Sequence, residues 1–180
     1  MADRPQHFTN LEYLGDATQF SGQIHALIPN CAMLENFTAA EVHLLAHFMA
    51  VYRAAPGTEI IREGEGGDFM LIVVEGEIDV LKHDRWNAPQ VIASVEPGRT
   101  LGEMSMIDGE PRFAACVAIA PVLIAVLDRE SLARIIVEQP MLGAKVLMAL
   151  VLMLSQRLRA TSTRLLEMLD QRTQRPPNLL

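Results

Sequence analysis

The stretch Phe69-Met-Leu-Ile-Val-Val74-Glu75-Gly76-Glu77-Ile78-Asp-Val-Leu81 decides the fold. Two apolar runs of strand length, rich in β-branched residues, flank a short Glu-Gly-Glu turn. The same grammar extends in both directions. Ala55-Pro56-Gly57, Gly64-Glu-Gly-Gly67, Glu96-Pro-Gly98 and Asp108-Gly109 are turn signals, and Val91 to Val95, Ala114 to Ala120 and Val122 to Leu127 read as further strands. Turns at these intervals, with no helices between them, indicate an antiparallel sandwich or roll and not a parallel sheet.

Helices flank this region. Thr38-Ala39-Ala40-Glu41 is a capping box, in which the threonine hydroxyl and the glutamate each satisfy one free backbone N–H. Phe37 and Val42 stand where a hydrophobic staple would sit, and Val42, Leu45, Phe48 and Met49 give the buried stripe. After Leu127 the helical period returns: Asp128 is a good N-cap, and Leu132, Ile135 and Ile136 share a face. Pro140 opens a final helix, where its missing N–H costs little. There Leu147, Val151, Leu154, Leu158, Thr161, Leu165 and Met168 recur at alternating spacings of four and three, a heptad seam with one polar member. Pro176 and Pro177 are expected to stop that helix.

The expected organisation is an extension over residues 1–33, interrupted by Pro5, Gly15, Gly22 and Pro29 and partly helical around Phe20 to Leu27. The β-roll with its flanking helices covers residues 34–140, a coiled-coil dimerisation helix residues 141–175, and a tail residues 176–180. The fold class is α+β.

Composition narrows the function. Half of the 180 residues are apolar and 21% are charged, enough to build a core. The net charge of -7 argues against a general nucleic-acid binder. Charge is uneven: residues 1–140 hold 9 Lys/Arg against 20 Asp/Glu, and residues 141–180 hold 6 against 2. Cys31 and Cys116 are too few for a disulfide framework, a structural zinc site or an iron–sulfur cluster. No secretory leader is evident, and the most apolar run, Val146 to Leu154, is short of the roughly 20 residues that span a bilayer. A cytoplasmic protein with no membrane association is expected.

Two stretches carry a family resemblance. Ile60-Ile61-Arg-Glu-Gly64-Glu-Gly66-Gly67-Asp68-Phe69-Met-Leu-Ile-Val73-Val-Glu-Gly76 resembles the glycine-punctuated strand pair of the cyclic-nucleotide-binding domain family. Leu101-Gly102-Glu103-Met104-Ser105-Met106, followed by Pro111-Arg112-Phe113-Ala114-Ala115, resembles its phosphate-binding cassette. Arg157-Leu-Arg-Ala160-Thr161-Ser162 is similar to the ligand-facing segment of the long helix in the catabolite activator (cyclic AMP receptor) proteins. The resemblance spans roughly residues 33–170 and implies an antiparallel β-roll, a double-stranded β-helix of jelly-roll type.

The residue chemistry agrees with what the resemblance implies. Arg112 offers a permanently charged, planar fork of donors suited to two phosphate oxygens. Ionised Glu103 only accepts, which suits a ribose 2′-OH. A turn at Met104-Ser105-Met106 would aim free N–H groups at the phosphate, and Gly102 would let the backbone come close. The resemblance assigns Thr161, and Ser162 from a partner subunit, to the purine amino group. It therefore implies cyclic AMP, with cyclic GMP as the alternative ligand, and a homodimer through the last helix. Phe113 departs from the family pattern, where Ser, Thr or Ala follows the arginine. Its backbone N–H still donates, and Ala114 follows; its ring could crowd the purine or stack on it. Cys116 replaces an aliphatic residue as a small hydrophobe.

Other functions fit less well. His43 and His47 lie four apart on a helix but lack a third ligand, so no metal and no cofactor is expected. His7, His25 and His83 are scattered, and no nucleophile–base pair is visible, so no enzyme is expected. The residues after Asp170 are too few for a second helix–turn–helix, so direct DNA binding is not expected. Arg157, Arg159, Arg164, Arg172 and Arg175 read as solvated faces of the coiled coil. The expected function is a cyclic-nucleotide sensor whose helix rearrangement is read by a protein partner. The alternative is a degenerate domain serving as a ligand-independent dimerisation or scaffold module.

Overall fold

A computed structural model of the chain describes residues 8–173, with side chains to residue 170. The expected stop at Pro176 and Pro177 lies outside these residues. Among these residues nine strands form two antiparallel sheets. The five-stranded sheet runs β1 (Glu12–Asp16), β2 (Ala50–Ala54), β9 (Val122–Asp128), β4 (Phe69–Glu75), β7 (Thr100–Leu101). The four-stranded sheet runs β3 (Glu59–Ile61), β8 (Ala115–Ala118), β5 (Ile78–His83), β6 (Pro89–Val95). This is the α+β class and antiparallel β-roll that the sequence indicated.

Strand alternation builds two cores. Phe69, Leu71 and Val73 of β4 and Val122, Ile124 and Val126 of β9 face into the roll, where they meet Ile61, Ile78, Cys116 and Ala118. Met70, Ile72 and Val74, with Leu123, Ala125 and Leu127, face the helices. These two central strands are buried on both sides, which is why their sequences read as unbroken apolar runs. β6 is different: only Val95 of its seven residues is buried.

The described residues also hold five α-helices: α1 (Ser21–Ala26), α2 (Ala39–Ala46), α3 (Glu103–Asp108), α4 (Arg129–Glu138) and α5 (Pro140–Thr173). The Thr38 capping box forms as expected, and Glu41 also takes Lys145 Nζ of α5 at 2.6 Å. That ammonium and the Thr38 backbone hold the Glu41 carboxyl at about 2. Asp128 caps α4 through the Ser131 N–H at 2.6 Å. A strand in the N-terminal stretch was not legible in the sequence; β1 pairs with β2, and Phe8 and Leu11 pack into the roll. β1 is half-exposed and its register shifts between Tyr13 and Gly15, so it carries no alternation.

Helix α5 has two apolar stripes. Leu142, Val146, Leu150 and Met153 are buried against the body of the protein. The heptad seam lies elsewhere: Leu147, Val151, Leu158, Leu165 and Met168 are exposed. By length and composition α5 passes as a bilayer span, with mean hydropathy 1.5 over its most apolar window, 28% of which is buried. The short run noted in the sequence therefore understated how apolar this helix is.

Candidate functional site

The cassette residues converge where β7 turns into α3. Gly102 caps α3 in the left-handed conformation (φ 82°), and a Cβ there would sit 2.6 Å from Arg112 Nη1 and 2.9 Å from the Phe69 carbonyl. No side chain fits. Gly67 serves the same end from the other side, since a Cβ on it would overlap Nε and Cζ of Arg112. The two glycines leave a slot the thickness of a guanidinium.

Arg112 fills that slot. It is only 4% exposed, donates from Nη1 to the Gly102 carbonyl (2.7 Å) and from Nη2 to the Phe69 carbonyl (2.9 Å), and lies 4.2 Å over the Phe69 ring. Its backbone is fixed too, with Arg112 N donating to Glu65 O (2.8 Å) and Gly64 N to Arg112 O (2.9 Å). A guanidinium has five N–H donors, so this network leaves three without a side-chain or carbonyl acceptor among the described residues. Burial pulls its proton affinity below the usual arginine value, while Cys116, Asp68 and Glu103 act in the opposite direction.

Glu103 opens α3 and is 2% exposed. One carboxylate oxygen, Oε1, is paired with Arg157 of α5; the other, Oε2, is buried and has no hydrogen-bond partner among the described residues. Native structures rarely leave such an oxygen alone, and each case asks for an explanation. Burial pushes this carboxyl above its ordinary value, with Arg157 and Arg112 pulling the other way. Arg157 also donates from Nη2 to the Thr100 carbonyl (2.8 Å) and hydroxyl (2.9 Å), and Thr100 is tied to Met153 Sδ at 3.0 Å. The expectation that Arg157 is merely a solvated coiled-coil face is thereby corrected. A charge in a helical pattern looks solvent-facing, and its long-range partners are invisible in one sequence.

The other expected residues divide. Ser105 and Ala114 are buried beside this network, and Met104 is exposed. The α3 C-terminus is held by Arg129, which donates to the carbonyls of Met106 (2.8 Å) and Ser105 (2.9 Å). Sequence reading did not single out Arg129, Thr100 or Gly67. Thr161 and Ser162 are exposed on α5, and the Thr161 hydroxyl bonds back to the Arg157 carbonyl at 2.9 Å. Within one chain they do not reach the cassette. Phe113 is 59% exposed, and its ring centroid lies 4.4 Å from Lys82 Nζ.

Elsewhere, His43 and His47 are used locally: His43 Nδ1 meets Ser21 Oγ at 3.2 Å and His47 Nδ1 meets the His43 carbonyl at 2.9 Å. Among the described residues no His, Cys, Asp and Glu cluster could hold a metal. Cys116 behaves as the expected hydrophobe, its thiol pushed up to about 12 by burial. A cleft of about 680 Å³ borders Arg112 along Gly66, Gly67, Asp68 and Phe69. A larger one, about 1080 Å³, lies away from the cassette between Cys31, Glu35, Glu77 and Glu96.

Comparison with known proteins fits this geometry. Residues 52–139 match the family model of the cyclic nucleotide-binding domain. A crystal structure of a cyclic nucleotide-binding domain from Methylobacillus flagellatus KT is 35% identical, with TM-score 0.80, covering 91% of this chain and 92% of that one. The cAMP-dependent protein kinase regulatory subunit of Blastocladiella emersonii is 28% identical over 116 residues, 64% of this chain and 29% of its own length. The acetyltransferase Pat of Mycolicibacterium smegmatis is 31% identical over 103 residues, 56% of this chain and 31% of its own length. The chain thus spans about a third of these two curated relatives.

Proposed function

Because the chain belongs to the cyclic nucleotide-binding domain family, we propose that it is a cyclic-nucleotide sensor, selective for cyclic AMP over cyclic GMP, that signals through α5 to a protein partner. One observation carries the reading: a buried, partnerless carboxylate oxygen on Glu103 stands beside a buried guanidinium with donors to spare. A phosphodiester with a free 2′-OH next to it offers an anion to the one and a donor to the other. Arg112 holds the phosphate, Glu103 Oε2 accepts from the ribose, and the Arg157 bridge ties both to α5. A ligand shifts an equilibrium only through differential affinity, and this bridge is where such a difference arises. Ligand bound to Glu103 changes the balance that keeps Arg157 against Thr100, and α5 follows.

The outward seam of α5 supports a homodimer, in which Thr161 and the partner's matching serine would read the base. A cytoplasmic setting completes this proposal. The exposed Phe113 ring favours the sensor over a ligand-independent scaffold with that ring buried against Arg112.

Titration calorimetry with cyclic AMP, cyclic GMP and 2′-deoxy cyclic AMP tests the assignment. Cyclic AMP is expected to bind best and the deoxy analogue at least tenfold more weakly. Arg112→Ala should lose about a hundredfold, roughly 2.7 kcal/mol, because the anion then lacks its buried counter-charge. No heat with any nucleotide at millimolar concentration would remove the sensor reading.

A further inference from the structure

The rim of the cassette holds a second cation that the family resemblance did not assign. Ile78 of β5 lies inside the roll and Val80 packs against that interior, so strand alternation puts Lys82 on the same inward side. Its ammonium donates to the Phe113 carbonyl at 2.6 Å and lies 4.4 Å from the centroid of the Phe113 ring. It therefore grips one residue twice, by backbone and by π-face. Glu63 backs it, accepting from Lys82 Nζ at 2.6 Å and from His83 Nδ1 at 2.8 Å. Glu63 belongs to the loop whose neighbours Gly64 and Glu65 exchange backbone hydrogen bonds with Arg112. The whole rim is one connected piece.

The grip has two consequences. In a trans peptide the carbonyl and the following N–H point opposite ways, so turning Phe113 O to Lys82 turns Ala114 N–H away from it. The same ammonium also gives the ring a favourable place outside the slot. A large apolar ring that is 59% exposed has an incentive to leave water, and its nearest neighbour along the chain is Arg112.

We infer that Lys82 is a positioning residue of the anion site: by holding Phe113 through its carbonyl and its ring, it keeps the ring out of the space in front of Arg112. This rests on the sensor reading for its functional meaning, but the clasp itself concerns the ligand-free chain. It also answers the departure at residue 113. An aromatic ring is tolerated where the family has a small residue because β5 supplies a cation to hold it aside.

Two measurements on the full chain test this. In calorimetry, Lys82→Met is expected to weaken cyclic AMP binding about tenfold and Lys82→Arg less than threefold. In a Phe113→Ala background, Lys82→Met should cost less than twofold, since no ring remains to restrain. An equal loss in both backgrounds would mean that Lys82 acts on the ligand directly, and no loss in either would mean that the clasp is idle; both overturn the inference. The second readout needs no nucleotide. Fluorine NMR of protein labelled with 4-fluorophenylalanine, the Phe113 signal assigned by its absence in Phe113→Ala, should show a solvent-exposed resonance that becomes sheltered in Lys82→Met. An unchanged, exposed resonance overturns the clasp even if no cyclic nucleotide binds. A sheltered one, together with no heat from any nucleotide, keeps the clasp and removes only the sensor reading.

Discussion

Helix α5 lives in two environments, and Arg157 marks the border. Before it, Leu142, Val146, Leu150 and Met153 are at most 5% exposed against the body of the protein. Beyond it, Leu158, Leu165, Leu166 and Met168 are all more than half exposed. The side chains are of the same kind; what differs is whether the chain itself supplies their partner. The first half buries one stripe against the domain and leaves Leu147 and Val151 of the seam exposed. The second half is apolar surface presented outward, and the candidate site sits at the junction, where Arg157 bonds Glu103 and Thr100.

One substitution made in each half tests that contrast most strongly. Leu150→Ala removes a side chain that is 2% exposed and should destabilise the protein by roughly 2–4 kcal/mol in urea unfolding. Leu165→Ala, at 57% exposed, should cost the fold under about 0.5 kcal/mol yet weaken self-association in sedimentation equilibrium. Equal destabilisation by both, independent of protein concentration, would erase the border. Association untouched by Leu165→Ala would withdraw the seam as a dimer surface.

That border also divides what one sequence discloses from what it hides. The strands β4 and β9, the Thr38 capping box and the outward seam were legible because each is a local pattern: an apolar run, a four-residue cap, a heptad. Gly102, Glu103 and Arg112 were legible through their spacing in a family motif, and the structure brings them within one network. The rest depends on contacts between distant residues. Arg157 bonds Thr100 and Glu103 across more than fifty residues, and Lys82 of β5 reaches Phe113 in the segment before β8. The role of Gly67 exists only because the Arg112 side chain lies across it. The strand β1, half-exposed and broken at Gly15, offers no period to read.

Arg157 itself sharpens the comparison next. Arg157→Met keeps the length of the side chain but leaves the Glu103 carboxylate buried without its partner. Such a carboxylate takes up a proton more readily and becomes a poorer acceptor for a ribose hydroxyl. Cyclic AMP affinity in calorimetry should fall about tenfold, roughly 1.4 kcal/mol. Arg159→Met, two residues on and solvent-exposed, should stay within twofold. If both variants bind alike, the junction has no special place and Arg157 is an ordinary surface charge.

The smallest expected effect concerns the roll's own side of that junction. Burial raises the Glu103 carboxyl above its ordinary 4.5, so the folded chain binds this proton more tightly than the unfolded one. Stability from that source is fully present below pH 4.5 and is lost as pH rises through the folded value. At neutral pH the ionised carboxylate is therefore a cost, only partly offset by Arg157. Glu103→Gln removes the titration, so the melting temperature of the variant relative to the parent should increase between pH 4.5 and 7.5. About 1 kcal/mol would appear as a gain of roughly 2–4 °C. The same variant should lose cyclic AMP binding, because the amide no longer offers an ionised acceptor to the ribose. A melting difference that does not change with pH would show that Arg157 compensates the buried charge in full. The junction would then cost the fold nothing. If the difference grows with pH while binding disappears, stability at this position has been given up for a waiting acceptor, as a site built for an absent donor requires.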